Sequence, residues 1–355
     1  MPDHLQDLRT LLGSRLIEDP AVLGENTTDF GRLIQAKPLG VARPASVAEV
    51  AAVVKWARSS KVPLVTRGKG HSQSGLSLAA DAVVLDLAGL ASIGKPDAAA
   101  GSIEVGGGAQ WRDIVAASLP AGLVPPVLTN NLGVSVGGTL SVAGLGIASF
   151  REGCQGDNVL EMEVVTGAGE VVVCSATKER ELFDAVRSGL GLCGVITRAT
   201  LRLVPAKPKV RTWYLLYDDL PSLMKDARLL MTDGRGGYLE SWCVPCPQGF
   251  RKVDGVPTPF AQWFFPLQLS AEFAPDAPPE DRAMLAGLAH YRQVHVEDRS
   301  MGEFANRLEP LFELWKRGGY WANAHPWMEA VLPWDAAATS CSGPRRAPPR
   351  RSPSS

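Results

Sequence analysis

Short apolar runs alternate with helical patterns along the first two hundred residues of the chain. Ser46-Val-Ala-Glu49 is a capping box and predicts a helix that ends at about Ser60. The turn Gly167-Ala-Gly169 joins two apolar runs and predicts a β-hairpin. Strands are predicted at 62–66, 82–87, 102–106, 160–166, 170–174 and 194–204, and further helices at 1–16, 110–118 and 178–187. This mixture of short strands and helices predicts an α+β domain over residues 1–205.

The longest uncharged stretch lies between Asp113 and Arg151 and spans 37 residues. A membrane span requires about 20 consecutive apolar residues in one helix. Three prolines, the polar pair Asn130–Asn131 and the many glycines from Gly133 onward exclude such a helix. We therefore expect an irregular, buried, glycine-rich segment whose backbone lies close to a bulky, mostly apolar cofactor.

The composition changes after Pro205-Ala-Lys-Pro208, which indicates a domain boundary. Aromatic residues become frequent beyond it, as in a sheet that accepts a flat or apolar substrate and also as in an ordinary aromatic core. The last fifteen residues contain four arginines, four prolines, four serines and no acid, a composition that cannot bury a core. The predicted divisions are an entry segment (1–35), a cofactor domain (36–205), a partial substrate domain (206–337) and a disordered tail (338–355).

The overall composition is that of an ordinary folded protein. The 36 basic and 37 acidic residues balance, which implies no general attraction to nucleic acids or membranes. The six cysteines form no dense framework and the first residues show no basic and apolar signal region, so we expect a reduced, cytoplasmic protein. Cys243 and Cys246 form a CxxC pair with a proline inside it and no further zinc ligands nearby. Two unlinked thiols are therefore favoured, and no metal site is predicted.

The most informative motif is the loop Arg67-Gly-Lys-Gly-His-Ser-Gln-Ser-Gly75, which follows a predicted strand. Its glycines allow successive backbone N–H groups to turn toward one anion, and Ser72 adds a hydroxyl. The loop lacks the Gly-Lys-Ser/Thr ending of a Walker A motif and the spacing of a Rossmann dinucleotide motif. An NAD-dependent Rossmann enzyme is therefore disfavoured, and a pyrophosphate cradle of another type is predicted.

This loop and several separated motifs, in the same order, resemble the PCMH-type FAD-binding family of the vanillyl-alcohol oxidase superfamily. The resemblance is strongest to the cytokinin dehydrogenases and runs from about residue 26 to residue 335. The other matching segments are 28–31, 105–111, 132–144, 164–167, 189–198, 238–240 and 325–327. The resemblance implies an α+β fold, in which a PCMH-type FAD-binding domain is followed by a partial α+β substrate domain.

The resemblance also implies a role for each matching residue. His71 stands where the family bonds a ring nitrogen of histidine to the 8α-methyl group of FAD, so covalent FAD is expected, with an unlinked histidine as the alternative. The residues expected at the pyrophosphate or flanking it are Thr66, Gly68, Lys69, Gly70, Ser72 and Leu76. Those expected to line the rest of the cofactor are Asn130, Ser135, Ser141, Leu145 and Ile196. A second link through cysteine, made by some members, is not expected, because Asn131 occupies that position.

The sequence departs from the family at the aspartate that takes a proton from the substrate. It reads Thr129-Asn-Asn-Leu132 there, and Asn130 cannot accept a proton at neutral pH. A second acid of the family corresponds, more loosely, to Gln268. Two amides in place of two carboxylates make a pocket less suited to a basic amine. Asp157 and Glu329 are candidate replacement bases, although each fits a surface or hydrogen-bonded carboxylate better.

The end of the chain departs as well. Family members continue well beyond the His325-Pro-Trp327 segment, whereas here an arginine-, proline- and serine-rich tail begins. An out-of-frame ending or a tail without function is favoured over a nucleic-acid arm. Such an ending would leave a sheet edge open.

These observations together predict an FAD-dependent oxidoreductase that resembles cytokinin dehydrogenase. The resemblance implies hydride transfer from a substrate CH–NH or CH–OH group to FAD, and then electron transfer to oxygen or a quinone-like acceptor. Asn130 is assigned to the catalytic position. The expected partners are a small-molecule substrate and the electron acceptor, and neither a nucleic acid nor a membrane. The alternative is a flavin-binding remnant without activity, because of Asn130 and the altered C-terminus.

Overall fold

The computed structural model describes residues 5–327 and 329–337. Within them the chain forms two compact units. The first contains residues 5–209 and 299–327, and the second contains residues 210–298 and 329–337. The predicted tail at 338–355 lies outside the described residues.

Helices and strands alternate through both units, and the secondary structure is mixed, as the α+β fold class requires. The helices are α1 (Gln6–Leu12), α2 (Pro20–Glu25), α3 (Val47–Ser60), α4 (Trp111–Ser118), α5 (Val136–Leu140), α6 (Ser149–Glu152), α7 (Arg180–Val186), α8 (Leu220–Asp233), α9 (Asp281–Met284), α10 (Met301–Ala305) and α11 (Glu309–Arg317). The strands are β1 (Leu16–Ile17), β2 (Gly40–Ala42), β3 (Leu64–Arg67), β4 (Val83–Asp86), β5 (Ser102–Gly106), β6 (Leu123–Val124), β7 (Val159–Val165), β8 (Val171–Ser175), β9 (Val195–Arg202), β10 (Val204–Pro205), β11 (Lys209–Tyr217), β12 (Tyr238–Ser241), β13 (Val244–Val253), β14 (Val256–Phe273) and β15 (Arg292–Ser300).

A small sheet near the N-terminus has the order β1-β2-β4-β3. The three strands β2, β4 and β3 run parallel, and β1 joins antiparallel. The interior strand β4 begins with an uninterrupted apolar run whose side chains are buried, as is typical of a parallel strand covered on both faces. Helix α3 packs its buried valines, alanines and Trp56 into the same core as these strands. The carboxyl end of β3 therefore leads directly from a rigid layer into the glycine-rich loop.

A second, fully antiparallel sheet has the order β5-β9-β7-β8. Apolar residues of these strands pack against helices α4, α5 and α7 in one core. The second unit contains a five-stranded sheet of order β12-β14-β11-β15, in which β13 also pairs with β14. Its core gathers Trp213, Tyr217 and apolar residues of β14 beneath helix α8.

Most predicted elements of the first unit are present within a few residues of their predicted ends. The predicted helix at 1–16 is shorter, because α1 stops at Leu12 and residues 13–15 form a 3₁₀ turn before β1. Gly13 ends the helix at φ +56°, a conformation that favours glycine. Strand β9 also stops earlier than predicted, at Arg202.

Segment 299–327 was assigned from sequence to the substrate domain, whereas its contacts group it with the first unit. Met301 donates its N–H to the Pro208 carbonyl at 3.0 Å. Met301, Phe304 and Ala305 of α10 are buried, and Ala305 belongs to the core that contains α4. The sequence-based boundary at 205/206 remains a prediction, and the returning segment adds residues to the cofactor unit that the linear order does not reveal.

Candidate functional site

The glycine-rich loop leaves β3 with a row of backbone donors. Among the described residues, the N–H groups of residues 69–73 have no acceptor within the protein. The Ser72 hydroxyl accepts the N–H groups of Leu76 at 3.2 Å and Ser74 at 3.4 Å, which tightens the far side of the loop. A Cβ at Gly68 would overlap the Ser135 hydroxyl, so glycine is required for this close approach. The result is a cradle of consecutive donors that fits a bound anion.

The segment 28–31 braces this loop from one side. Phe30 donates its N–H to the Gly70 carbonyl at 2.9 Å, and Gly31 donates to the Ser72 carbonyl at 3.0 Å. The buried Asp29 carboxylate accepts the Gly75 N–H at 2.7 Å. These bonds satisfy loop carbonyls and leave the N–H groups of residues 69–73 available.

Arg67, at the end of β3, supports the same turn. Its guanidinium donates to the Thr28 carbonyl at 3.0 Å and to the Ser77 hydroxyl at 3.3 Å. Gly70 adopts φ +62° directly beside this guanidinium, where a Cβ would overlap it. Burial lowers the pKa of Arg67, with a partly opposing effect from the Asp29 and Asp86 carboxylates. Arg67 thus serves as a structural tie within the loop.

His71 lies in an aromatic stack. Its ring is 4.3 Å from the Phe30 ring at an interplanar angle of 21°, and the His325 ring stacks on Phe30 at 4.2 Å and 5°. Trp321 packs at 4.7 Å from Phe30 and 5.9 Å from His71. Burial, aided by His325, lowers the pKa of His71 to about 4. The imidazole is therefore neutral at pH 7 and carries a nucleophilic nitrogen lone pair.

Asn131 contacts the edge of the His71 ring at Nε2. The Asn131 Oδ1 accepts the Gly133 N–H at 2.8 Å, which assigns the other end of the amide as Nδ2. That Nδ2 lies 3.4 Å from His71 Nε2 and can only donate to it. The missing second thiol at this position is thus replaced by an amide that contacts the histidine.

Gly107 and Gly108, with the start of α5, form a glycine-rich wall that depends on close backbone packing. A Cβ at Gly107 would overlap the Ile196 carbonyl, and one at Gly108 would overlap the Leu87 carbonyl. Ser135 is buried at the start of α5, and the Ser141 hydroxyl donates to the Gly137 carbonyl at 2.7 Å. Side chains therefore cannot be added along this wall without moving strands β5 and β9 apart.

The remaining predicted cofactor residues differ in exposure. Thr66 lies in β3 and is half-buried, whereas Lys69 is exposed. Leu76 and Leu145 are 39% and 38% exposed. Ile196 lies in β9 with its side chain in the core, 2% exposed. Their contacts with a cofactor remain predictions.

A cavity of about 350 Å³ opens beside His71. Phe30, Phe312 and Trp321 form its aromatic side. Its charged lining residues are Glu25, Asp29, Arg32, Arg67, Lys69, Arg112, Glu309 and Lys316. The local sequence does not predict the contribution of helix α11 and Trp321, because they follow the loop by more than two hundred residues.

Asn130 does not share the orientation of Asn131. Its Oδ1 accepts a hydrogen bond from Arg307 Nη2 at 2.6 Å, and both side chains are half-buried. Arg307 follows α10 and lies over the Phe304 ring at 5.5 Å. No local pattern marks Arg307, whose partner is 177 positions away.

The other candidates lie elsewhere. Asp157 accepts the Cys154 N–H at 2.8 Å in a short capping box, and bonds from Cys154 lower its pKa. Gln268 pairs with Glu240 in the second unit's sheet, and Glu329 is exposed. Cys243 and Cys246 are exposed, unlinked thiols.

In the described part of the chain, no cluster of three or more metal-ligating side chains occurs and no helix is long and apolar enough to cross a membrane.

The chain is similar to one family model and to several known proteins. Residues 38–175 match the family model described as an FAD binding domain. The chain is 37% identical over 308 residues to an uncharacterized oxidoreductase of the fasciation locus of Rhodococcoides fascians, covering 86% of this chain and 67% of the relative. It is 43% identical over 227 residues to cytokinin dehydrogenase 7 of Oryza sativa subsp. japonica, covering 62% of this chain and 43% of the relative. It is 33% identical over 356 residues to cytokinin dehydrogenase 6 of the same plant, covering 91% and 67%.

The fold and the matched domain define an FAD-linked oxidoreductase with a PCMH-type FAD-binding domain. More narrowly, the chain belongs to the cytokinin dehydrogenase family. The alignments that include most of this chain cover about two thirds of the length of the relatives. The family and the α+β fold expected from the sequence motifs are thereby confirmed.

Proposed function

We propose that His71 holds FAD covalently and that the protein oxidises a CH–NH or CH–OH group of a small organic substrate. The observation that carries this proposal is the neutral His71 imidazole in the middle of the backbone N–H cradle formed by residues 69–73. A neutral ring nitrogen is the nucleophile that an 8α-histidyl bond requires.

The residues present fit the cofactor. FAD carries a pyrophosphate, and the N–H groups of residues 69–73 offer it consecutive donors. A Cβ at Gly68 would overlap the hydroxyl of Ser135, which is also predicted to line the cofactor, so the loop backbone and Ser135 lie close together at the proposed site. The exposed apolar side chains of Leu76 and Leu145 would be covered by a mostly apolar ligand.

The chain's own residues have separable tasks in this proposal. Phe30 and Asn131 hold the His71 ring in place, one by stacking and the other at Nε2. Burial of the ring, which packs against Phe30 and Trp321, keeps it neutral, and the electrostatic effect of His325 acts in the same direction. The chemistry that bound FAD would supply is hydride acceptance from the substrate C–H, with the electrons going on to oxygen or a quinone-like acceptor. Asn130 orients the substrate without serving as a base, because an amide does not accept a proton at neutral pH.

The substrate class follows from the relatives. Two of those compared are named cytokinin dehydrogenases, which supports an amine-type CH–NH substrate. Asn130 in place of a carboxylate supports a neutral substrate such as an alcohol. A flavin-binding protein without turnover is the second candidate, favoured by the same asparagine.

Acid precipitation tests the attachment. The yellow colour should remain with the precipitated protein, and a tryptic peptide containing His71 should gain the mass of FAD. His71→Ala should release free flavin on denaturation, whereas His295→Ala, in β15 of the second unit, should behave as wild type. Release of flavin from the wild-type protein in acid would exclude the covalent bond. If neither amines nor alcohols reduce the bound flavin, the second candidate, a flavin-binding protein without turnover, is favoured.

A further inference from the structure

The Phe30 ring lies between two imidazoles. The His71 ring stacks on it at 4.3 Å between ring centres and an interplanar angle of 21°, and the His325 ring stacks at 4.2 Å and 5°. No ring contact joins the two imidazoles, both of which lie in the described part of the chain, so they occupy opposite faces of Phe30. Rings at these distances attract each other across their faces. The order of the stack is therefore His71, Phe30, His325.

Main-chain hydrogen bonds hold the stack in one framework. His325 donates its N–H to the Gly31 carbonyl at 2.8 Å, and Gly31 donates its own N–H to the Ser72 carbonyl at 3.0 Å. Phe30 donates to the Gly70 carbonyl at 2.9 Å. The chain at His325 is thus bonded to the residues that brace the cradle loop, and all of them belong to the first unit.

This arrangement limits the freedom of Phe30 to turn away from His71. Trp321 packs beside the Phe30 ring at 4.7 Å, and His325 covers the face that is opposite His71. The Nε2 atom of His325 lies 3.4 Å from the Trp321 carbonyl, which is longer than usual for a hydrogen bond, so the ring stack is the main contact of this side chain. Without the His325 ring, that face of Phe30 would lose its aromatic partner.

We propose that His325, acting through Phe30, is a positioning residue for the covalent attachment of FAD to His71. An imidazole that is stacked on a fixed ring keeps one plane, so its nitrogen lone pair keeps one direction. The inference rests on the proposed function, because it takes His71 to be the attachment site. It assigns His325 to the cofactor, whereas the sequence-based division placed this segment in the substrate domain.

The step that this position serves forms an N–C bond between the His71 imidazole and the 8α carbon of FAD. The imidazole N–H bond and one methyl C–H bond are broken. The two electrons and two protons stay with the flavin until dissolved oxygen takes them up as hydrogen peroxide. His325 takes part in none of these bond changes, so it acts only on the fraction of time that the His71 ring spends in the reactive orientation.

The rate of attachment tests the proposal. The full chain, prepared without flavin, is mixed with saturating FAD at pH 8, where His71 is neutral, and acid-stable flavin is followed over time. His325→Ala should slow attachment by roughly two- to tenfold, the factor that corresponds to the loss of one aromatic pair. His325→Phe, which keeps a ring in the stack, should react at close to the wild-type rate. The FAD concentration that gives the half-maximal rate should change in neither variant, because the N–H cradle is intact.

Further variants separate positioning from a general loss of structure. His295→Ala, the same substitution in the second unit, should leave the rate unchanged. Phe30→Leu should also slow attachment, and adding His325→Ala to it should have no further effect, since His325 acts only through the Phe30 ring. If His325→Phe is as slow as His325→Ala, or if the effects of Phe30→Leu and His325→Ala multiply, the proposal is wrong.

A second readout requires no flavin. In the flavin-free chain, nuclear Overhauser effects should connect the protons of the His71 and Phe30 rings, whose centres are 4.3 Å apart. These effects should persist in His325→Phe and weaken in His325→Ala. Unchanged effects in His325→Ala, with normal attachment, would overturn the role of His325 alone. Release of flavin from the wild-type protein by acid would instead overturn the covalent bond, and the role of His325 in it, so the two failures are distinguishable.

Discussion

At the scale of single residues, the state of His71 depends on neighbours that approach it from three directions. Phe30 stacks on its face, Asn131 lies 3.4 Å from Nε2, and the Trp321 ring packs 5.9 Å away. The motif Gly70-His71-Ser72 identified the histidine in the sequence. Its lowered pKa could not be predicted there, because Trp321, which packs against the ring, and His325, which lowers the pKa electrostatically, follow it by 250 or more positions.

The pH dependence of flavin attachment checks this environment. Burial lowers the pKa of His71 to about 4, from an ordinary value of 6.5. The nucleophilic neutral form therefore persists as pH falls from 8 to 5 and is lost only as pH falls through about 4. When flavin-free protein is mixed with FAD, the rate at which flavin becomes acid-stably attached should show no decrease with a midpoint near pH 6.5, the ordinary pKa of histidine. A midpoint close to 6.5 would show that the ring is solvated.

Glycine positions offer a second residue-scale test. Gly31→Ala should destabilise the protein by about 1–3 kcal/mol, because the added methyl group overlaps the Gln73 carbonyl of the cradle loop. Gly167→Ala is the matched control, since no atom lies within 4 Å of the place its methyl group would take and its φ is not positive. It should be neutral or stabilising by up to about 1 kcal/mol. Urea unfolding of both variants measures the difference, and equal effects would contradict the close packing of segment 28–31 on the loop.

At the scale of elements, local sequence patterns predict an element correctly where residues close to it in sequence stabilise it. Helix α3 ends at Ser60 as predicted, and the hairpin β7–β8 forms around the Gly167-Ala-Gly169 turn. The capping box is only partly realised: Ser46 accepts the Glu49 N–H at 3.2 Å, but the Glu49 carboxylate accepts the Ala45 N–H instead of that of Ser46. The Glu49 carboxylate also accepts a hydrogen bond from Arg15, which lies outside the helix.

Removal of the α3 cap gives an element-scale prediction. Ser46→Ala should cost about 0.5–2 kcal/mol of unfolding free energy, because the Glu49 N–H loses its side-chain acceptor. Ser59→Ala, near the other end of the helix, removes only a bond to the Trp56 carbonyl and should cost less. Urea denaturation followed by circular dichroism compares the two. A larger effect at Ser59 would show that the cap contributes little.

At the scale of the whole chain, sequence order and spatial grouping diverge. Residues 299–327 return to the first unit and contribute Arg307, Trp321 and His325 to the site around the loop. The family motif at 325–327 indicated that this segment matters, but not that it packs beside the loop. Pairings over such separations depend on buried surfaces formed by the complete unit and leave no periodic signal in the local sequence.

The second unit exposes an apolar arm formed by β13 and the first half of β14. Every residue of β13 is exposed, including Val244, Phe250 and Val253, and Phe260 on β14 is 47% exposed. In the described structure β13 pairs only with β14, so its other edge retains unpaired N–H and C=O groups. Exposed apolar edges of this kind bind hydrophobic dyes and promote association.

We therefore expect strong fluorescence from an anilinonaphthalene sulfonate dye and concentration-dependent association of the 355-residue chain. Phe250→Lys combined with Phe260→Lys should lower both, because the charges interrupt the apolar arm and disfavour edge-to-edge pairing. Leu192→Lys is the matched control, since Leu192 is 82% exposed but lies in the first unit. Deletion of residues 341–355 should change neither property. The expectation is contradicted if the double variant binds the dye and associates as wild type does, while Leu192→Lys lowers both. The apolar surface responsible would then lie in the first unit and not in the arm.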